Sequence, residues 1–290
     1  MGRVFRSIDD FSTEAIERLL DRASQFADGV RPQGPGPLVG IVFLETSLRT
    51  RTGFSAAAHR LGGATVDVYF QRSSEISMPE SIHDTLRTVM GYTDVVVARP
   101  GVALLGDAVP DHPTPILSGG DRGPQAEHPS QALLDLFGWY HDGIDLTKSV
   151  VTIVGDPTMR SVASLLKVFE RFPFRPREVR VVTTPQLAAN WPARAFPVIR
   201  QVGWDACSDA DIVYMAGIPH NAADETDRSY LRLTPAVLGE LKPSTSVTSP
   251  LPNIDEIEQN SFADRRVRAF EYSDWAVYMR MALLELIAAN

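Results

Sequence analysis

Short apolar runs alternate with segments in which apolar residues recur at helical spacing, from one end of the chain to the other. The clearest run, LVGIVFLE (residues 38–45), is the pattern of a strand buried on both faces of a parallel sheet. The next segment, TGFSAAAHRLGG (52–63), predicts a helix because its apolar residues share one face and two glycines end it. Alternation of this kind predicts an α/β fold with parallel sheets.

The same alternation extends over the rest of the chain. Ser12 is placed to cap an earlier helix, and the last segment, WAVYMRMALLELIAAN (275–290), predicts an amphipathic helix. Further strands are predicted over ATVDVYF (64–70), DVVVARP (94–100), SVVTIVGD (149–156), REVRVVTTP (177–185) and ADIVYMAG (210–217). Further helices are predicted over PESIHDTLRTVM (79–90, with Pro79 in its first turn), HPSQALLDLFGWYHD (128–142) and the segment after Asp156, where Val162, Leu165, Leu166 and Phe169 form one stripe.

Each half of the chain contains a complete strand–helix series. A chain of 290 residues is long for one core and suits two. We therefore predict two doubly wound domains, each with a parallel sheet flanked by helices, and a boundary near Gly138 to Gly143.

The charge balance and the single cysteine exclude several classes of protein. With a formal net charge of −8, the chain lacks the basic face that a nucleic-acid-binding protein needs. Cys207 alone cannot form an intramolecular disulfide, and the histidines lack metal-ligand spacing, so we expect no metal. The sequence has neither a signal-peptide core nor an apolar run long enough to cross a membrane, which predicts a cytoplasmic protein.

Chemistry-bearing segments follow several predicted strands, at the sheet edge where α/β proteins bind ligands. SLRTRT (47–52) combines hydroxyl groups and arginines with the free amides of a helix start, which favours a phosphate-like anion. An ordinary solvated basic turn is the alternative. Arg99 also follows a buried strand, where an isolated arginine is more often a surface charge.

Two more segments have the same placement. EHPSQ (127–131) places His128 to donate to an oxyanion and Gln131 to bind an amide, although this is also simply a good helix start. GDPTMR (155–160) lacks the G-x-G-x-x-G spacing of a dinucleotide-binding turn. No motif for a covalent nucleophile is present in the sequence.

Together these segments resemble the motifs of the aspartate and ornithine carbamoyltransferases. SLRTRTGFSAAAHRLGG is similar to the family's F-x-x-x-S-T-R-T…LG signature, and HPSQALLDLF is similar to its HP-[ST]-Q-x-L-x-D-[LF] segment. GDPTMRSVASLL and SPLPNIDEI resemble its VGD…R and [HC]-x-LP-R-x-DE-I segments, and Arg99 lies where the family has a lone arginine after a strand. The resemblances follow the family's order from Leu38 to Ile257.

The resemblance implies a carbamoyltransferase that needs no cofactor and works as a homotrimer with active sites shared between subunits. Residues 1–137 would form a carbamoyl-phosphate-binding domain, residues 138–272 an acceptor-binding domain, and the C-terminal helix, 273–290, would pack back on the first domain. Carbamoyl phosphate is already activated. The protein therefore has to hold it, stabilise an oxyanion and present a neutral amine in line.

The same resemblance gives each motif residue a role. The phosphate ligands would be Ser47, the backbone of Leu48, Arg49, Thr50 and Arg99. The groups that polarise the carbonyl oxygen would be Thr50, Arg99 and His128. The carbamoyl NH₂ would be held by Gln131 and the backbone carbonyls of Leu251 and Pro252. Arg160 would bind the acceptor's carboxylate, and Glu45 matches a glutamate that bridges the domains to that arginine.

The sequence departs from the family's pattern at the carbamoyl phosphate side. Leu48 replaces the family's usual threonine, and a hydrogen bond to a charged group contributes about 1.5–3 kcal/mol. In the loop QRSSEISMPESIHDT, Met78 lies at or next to the lysine that aspartate enzymes insert into the neighbouring site. Glu75 takes the place of a glutamine that serves this purpose in ornithine enzymes, and a glutamate repels a dianion unless Arg72 compensates.

The sequence also departs from the family's pattern at the residues that would bind the acceptor. Aspartate enzymes bind the acceptor's side-chain carboxylate with an R-x-Q pair, whereas this sequence has Gly217 and Pro219 there. Ser249 replaces the cysteine of the ornithine enzymes' HCLP motif. The sequence therefore predicts a carbamoyltransferase for a small, amino-acid-like amine that is not necessarily aspartate. A catalytically impaired homologue acting as a structural or regulatory subunit is the alternative, and an NAD-dependent oxidoreductase has only GDPTMR in its favour.

Overall fold

A computed structural model of the chain describes residues 3–68, 80–104, 106–123, 125–189, 191, 199–219 and 222–289. The chain divides into two compact units, Met1–Phe137 with Trp275–Asn290, and Gly138–Asp274. Each unit contains a parallel β-sheet flanked by helices, which confirms the predicted α/β fold. None of the described helices is long and apolar enough to cross a membrane.

The sheet of the first unit has buried strands at its centre and a partly buried strand, Ala64–Val68, at one edge. Its described strands are β1 (Val4–Phe5), β2 (Leu38–Phe43), β3 (Ala64–Val68), β4 (Val95–Arg99) and β5 (Ile116–Ser118). They lie in the order β1-β5-β4-β2-β3, all parallel. Because the chain continues from β2 to β3 on one side and returns to β4 on the other, the strand order reverses between β2 and β4. Open α/β sheets bind ligands at such a reversal.

Helices cover this sheet and begin at well-defined caps. Ser12 caps α1 (Thr13–Ala27), as predicted, and α2 (Leu48–Arg60) packs on β2 and β3. The helix α3 (Ile82–Met90) begins later than predicted, because the Ser81 hydroxyl accepts a hydrogen bond from the Asp84 N–H and sets its start. Pro79, predicted in its first turn, lies outside the described residues. The helix α4 (Pro129–His141) starts with proline, as predicted.

The second unit repeats the architecture. Its described strands are β6 (Val150–Gly155), β7 (Glu178–Val182), β8 (Ile199–Gln201), β9 (Ile212–Gly217) and β10 (Ser246–Thr248), in the order β10-β9-β6-β7-β8. Its helices are α5 (Arg160–Phe169), α6 (Pro185–Ala188), α7 (Glu225–Leu231) and α8 (Pro235–Glu240). The apolar stripe predicted on α5 is buried in the structure. The strand order of this sheet reverses between β6 and β9.

The final helix differs from its prediction. The helix α9 (Ala269–Ala288) begins before residues 273 and 275, the two starts that the sequence analysis gives for it. Residues 279–284 are buried without interruption, so this stretch is enclosed on every side rather than on one face, and the prediction of an amphipathic helix was wrong. A charged side chain within that stretch, Arg280, is therefore buried.

Candidate functional site

The reversal point of the first sheet collects the predicted phosphate residues. Phe43, the last residue of β2, pairs with Arg99, the last residue of β4, so both strands end at the same level. The segment that leads to α2 therefore starts beside Arg99. The neighbouring strand β5 pairs with β4 and leads into the loop that contains His128.

The helix α2 begins inside the predicted anion-binding segment. The sequence placed its start at Thr52, but the structure places it at Leu48, with Ser47 as the N-cap residue. The Ser47 side chain makes no capping hydrogen bond, and the first helical bond runs from the Arg51 N–H to the Ser47 carbonyl at 3.3 Å. The amides of Leu48, Arg49 and Thr50 consequently have no partner within the helix, which is the usual condition for anion binding at a helix start.

The two arginines of this segment have different surroundings. The Arg51 guanidinium forms an ion pair with Asp67, at 3.0 Å between Nη2 and Oδ1. Arg49 is half-buried, and among the described residues it has neither an acidic partner nor a hydrogen bond. Its burial lowers the pKa of the guanidinium below the usual value, because desolvation disfavours the charged form. Arg49 is thus the cation that an anion at this helix start would neutralise.

The neighbouring side chains differ strongly in exposure. Thr50 is only 6% exposed, whereas Leu48 is 75% exposed. The side chain that replaces the family's threonine hydroxyl therefore lies in solvent in this chain.

Arg99 is held by two hydrogen bonds. Its Nη1 donates to the Ser47 hydroxyl at 3.2 Å, and its Nε donates to Oε2 of Glu45, also at 3.2 Å. The other carboxylate oxygen of Glu45 accepts hydrogen bonds from Arg122, with Nε at 2.8 Å. Burial alone would raise the pKa of the Glu45 carboxyl, but the hydrogen bonds from Arg122 and Arg99 outweigh it and lower the pKa. Glu45 is therefore ionised at neutral pH.

Arg280 belongs to this region and was missed by the sequence analysis. It is 6% exposed, and among the described residues its Nε has no hydrogen-bond partner. Its guanidinium lies over the ring of Phe54, 5.6 Å from the centroid. Burial, and then the charge of Arg49, lower its pKa to about 10, so the side chain is still protonated at neutral pH. An arginine inside the apolar run YMRMALL was the available signal.

Gly53 makes room for this buried cation. A Cβ atom at position 53 would lie 2.3 Å from Nη1 of Arg280, so any side chain there would displace the guanidinium. Gly53 lies in the second turn of α2, and Arg280 therefore packs directly behind the start of that helix.

The predicted oxyanion and amide ligands lie at the start of α4. His128 is almost buried, and its Nδ1 is 3.3 Å from the Ser130 hydroxyl. Gln131 donates from Nε2 to Oδ1 of Asp135 at 3.0 Å, so its amide nitrogen is engaged and the amide oxygen can accept a hydrogen bond. That oxygen is the atom needed to bind an NH₂ group.

The loop between β5 and α4 is anchored by a buried carboxylate. Asp121 is 0% exposed, and it accepts hydrogen bonds from Arg6 and from the Leu104 N–H at 3.0 Å. Glu127 accepts from the Ser7 hydroxyl at 2.6 Å and from the Ile8 N–H at 3.0 Å. Both ends of the loop are therefore fixed, and Arg122 follows one of its anchors.

The remaining predicted residues of the described chain belong to the second unit. Arg160 is the first residue of α5, which follows the strand β6. Leu251 has a positive φ of 55°, which is rare outside glycine, and its N–H donates to the Ser249 hydroxyl at 3.1 Å. Pro252 follows it. A residue held in this strained conformation is more common at functional sites than elsewhere.

The segment after β9 lies beside the start of α5. Asp156 donates from its N–H to the Gly217 carbonyl at 3.2 Å, across the reversal point of the second sheet. Gly217 has a φ of 83°, a conformation that side-chain-bearing residues rarely adopt. The buried Glu256 carboxylate accepts from the Ile218 N–H at 3.1 Å, and Arg228 donates to the Pro219 carbonyl at 2.8 Å. The backbone of this segment is therefore fixed in a shape that requires glycine.

Glu75 and Met78, as well as Arg72, lie outside the described residues. Their predicted contribution to a neighbouring subunit's site stays a prediction.

Comparisons with known proteins agree with the motif resemblance. Residues 3–141 match the family model described as aspartate/ornithine carbamoyltransferase, carbamoyl-P binding domain. The aspartate carbamoyltransferase catalytic subunit of Archaeoglobus fulgidus is 30% identical, with 98% of each chain covered. That of Methanosphaerula palustris is also 30% identical, over 98% of this chain and 99% of its own.

Solved structures show the same similarity. The aspartate transcarbamoylase from Trypanosoma cruzi in complex with carbamoyl phosphate has a TM-score of 0.82 and 27% identity, over 98% of this chain and 95% of its own. The complex of that enzyme with N-(phosphonacetyl)-L-aspartic acid has a TM-score of 0.83 at the same identity and coverage.

Proposed function

The chain belongs to the aspartate/ornithine carbamoyltransferase family, closer to its aspartate carbamoyltransferases, and we propose that it carbamoylates a small amino-acid-like amine other than aspartate. The transfer of the carbamoyl group is the activity of these relatives. To this shared activity we add a proposal for the acceptor and for the roles of the individual residues.

The phosphate half of the proposed site rests on Arg49. This half-buried cation has no acidic partner among the described residues, and it lies in the first turn of a helix whose N-cap side chain does not cap it. The free amides, the helix dipole and a guanidinium fork favour a phosphoryl group together. Arg280 adds a second buried charge behind the same helix start.

Carbamoyl transfer then needs two further groups of ligands. We assign the carbonyl oxygen to Thr50, Arg99 and His128, whose donors would stabilise the negative charge that develops when the amine attacks. In the first unit, the amide oxygen of Gln131 would accept a hydrogen bond from the carbamoyl NH₂. The family resemblance gives the backbone carbonyls of Leu251 and Pro252 the same role. Attack forms the new C–N bond, and collapse of the tetrahedral intermediate breaks the bond between the carbonyl carbon and the phosphate oxygen. The amine nitrogen gives up one proton, which the departing phosphate can accept.

The backbone after β9 supports an acceptor with a single carboxylate. Arg160, at the start of α5, is the proposed ligand of the α-carboxylate. Gly217 stands where aspartate enzymes have an arginine, and its positive φ would strain any replacement residue. Pro219 likewise has no side-chain donor. An acceptor with a second carboxylate would therefore lack a cation from this described segment.

A panel of amines tests this assignment. We expect phosphate release from carbamoyl phosphate that depends on the protein and on the amine, with a higher kcat/KM for an α-amino acid with one carboxylate than for aspartate. Phosphate release without protein is the control. Preference for aspartate would contradict the proposed acceptor. No amine-dependent release, together with no thermal shift on adding carbamoyl phosphate, would instead favour the catalytically impaired homologue.

We also propose a homotrimer in which neighbouring subunits complete each site. A cavity of about 700 Å³ opens beside the first turns of α2 and is lined by residues that include Leu48, Arg51, Thr52, Ser55 and Asp67. Leu48 is 75% exposed, and a neighbouring chain that occupied this cavity would cover it. Sedimentation equilibrium should give three times the mass of one chain, and a monomer at micromolar concentration would overturn this proposal.

A further inference from the structure

Glu45 places a negative charge at the proposed phosphate site. Its Oε2 accepts a hydrogen bond from Nε of Arg99 at 3.2 Å, and Arg99 is one of the two arginines assigned to the anion. An ionised carboxylate this close opposes a dianion, because like charges at short distance repel. A phosphate site that contains Glu45 therefore needs a compensating charge.

Arg122 supplies that charge at the opposite oxygen. Its Nε and Nη2 both donate to Oε1 of Glu45, so each carboxylate oxygen serves one arginine. Glu45 thereby holds the Nε side of Arg99, while Ser47 fixes Nη1. Among the hydrogen bonds of the described residues, none involves Nη2 of Arg99.

The position of Arg122 is determined by the fold. Its side chain is 54% exposed, but its backbone directly follows Asp121, the buried anchor of the loop. Gly101 packs against the Glu45 side chain, since a Cβ atom at position 101 would lie 3.4 Å from Cγ of Glu45. Glu45 is therefore confined between Arg99, Arg122 and the Gly101 turn.

We propose that Arg122 is a positioning residue for carbamoyl phosphate, because it neutralises Glu45 and holds that carboxylate where it orients Arg99 without repelling the phosphoryl group. This inference rests on the proposed function. The roles given to Arg49 and Arg99 do not depend on it. Arg122 lies 77 positions after Glu45 in the sequence.

Removal of the Arg122 charge tests the proposal. In Arg122→Gln, the dissociation constant for inorganic phosphate, measured by calorimetry, should rise about three- to tenfold, which is the scale for a partly exposed charge pair. The KM for carbamoyl phosphate should rise in parallel, while kcat should stay within about twofold. The unfolding midpoint without ligand should change little, since the side chain is half-exposed.

A double-mutant cycle separates charge balance from a general loss of positive charge. In a Glu45→Gln background, where no carboxylate remains to be neutralised, the Arg122→Gln change should weaken phosphate binding by less than about twofold. Arg122→Lys, which keeps the charge, should restore most of the affinity lost in Arg122→Gln. Equal effects of Arg122→Gln in both backgrounds would overturn the proposal.

A matched control removes the same charge elsewhere on the first unit. Arg22 pairs with Glu285 on the surface, with 2.6 Å between Nε and Oε2, so Arg22→Gln should leave phosphate affinity unchanged. If the wild-type protein binds phosphate and the Arg122→Gln variant binds it equally well, this inference is overturned. The proposed function would still stand. A wild-type protein that binds neither phosphate nor carbamoyl phosphate would overturn both.

Discussion

The Arg49→Ala variant is expected to lose about a hundredfold to a thousandfold of kcat/KM for carbamoyl phosphate. The guanidinium is half-buried and has no acidic partner among the described residues, so its removal deletes a charge that the fold does not otherwise use. The helix amides remain, which should preserve weak phosphate binding. Initial rates over a range of carbamoyl phosphate concentrations, with phosphate affinity measured in parallel, give the required values.

A second arginine of the same helix is the control for this experiment. Arg60 lies at the last position of α2, is exposed and stacks over Tyr278, 5.8 Å from the ring centroid. Arg60→Ala removes an equal charge from the same element and should leave kcat/KM within about twofold, as expected for an exposed residue. If Arg49→Ala resembled Arg60→Ala, the anion site would lie elsewhere.

Local patterns were sufficient to predict six of the ten described strands, but not the short strands β1, β5, β8 and β10, which have two or three residues each. Strands such as LVGIVF and VVTIVG are buried on both faces, so their continuous apolar runs are visible without knowledge of the rest of the chain. The start of α2 was less visible. Serine is a preferred N-cap residue, but the sequence analysis started the helix at Thr52 and did not use Ser47 as its cap. The sequence also could not show that the Ser47 hydroxyl leaves the first amides of the helix uncapped.

Contacts between distant residues could not be predicted in this way. The resemblance gave Glu45 a role between the domains, which stays a prediction, and it did not indicate that Glu45 pairs with Arg99 and Arg122. Nothing local marks Arg122 as the partner of a residue so far back in the sequence. The positive φ of Gly217 could not be predicted either, because a glycine in the sequence indicates freedom of the backbone but not which conformation is used.

Arg280 shows how a helical pattern can conceal a buried charge. An amphipathic helix, as predicted for the C-terminal segment, would place its charged residues on the exposed face. Because residues 279–284 are all buried, the arginine is enclosed, and desolvation disfavours its charged form. A fold keeps such a group at a cost to stability, and a bound anion would offset that cost.

We therefore expect Arg280→Met to raise the stability of the ligand-free protein while it weakens phosphate binding. Replacement of a buried charge by an apolar side chain of similar volume typically stabilises by about 1–4 kcal/mol or is neutral. Methionine is flexible enough to fill the space over Phe54. The loss of a cation close to Arg49 should also raise the dissociation constant for phosphate, by about tenfold or more.

The two effects are measured together as thermal unfolding midpoints with and without phosphate. Phosphate stabilises the protein by an amount set by the ratio of its concentration to the dissociation constant, so the increment should shrink in the variant even as the ligand-free midpoint rises. Arg60→Met makes the same substitution at an exposed arginine over an aromatic ring and should change neither quantity. A lower ligand-free midpoint with an unchanged phosphate increment would mean that Arg280 serves the packing of α9 and not the anion.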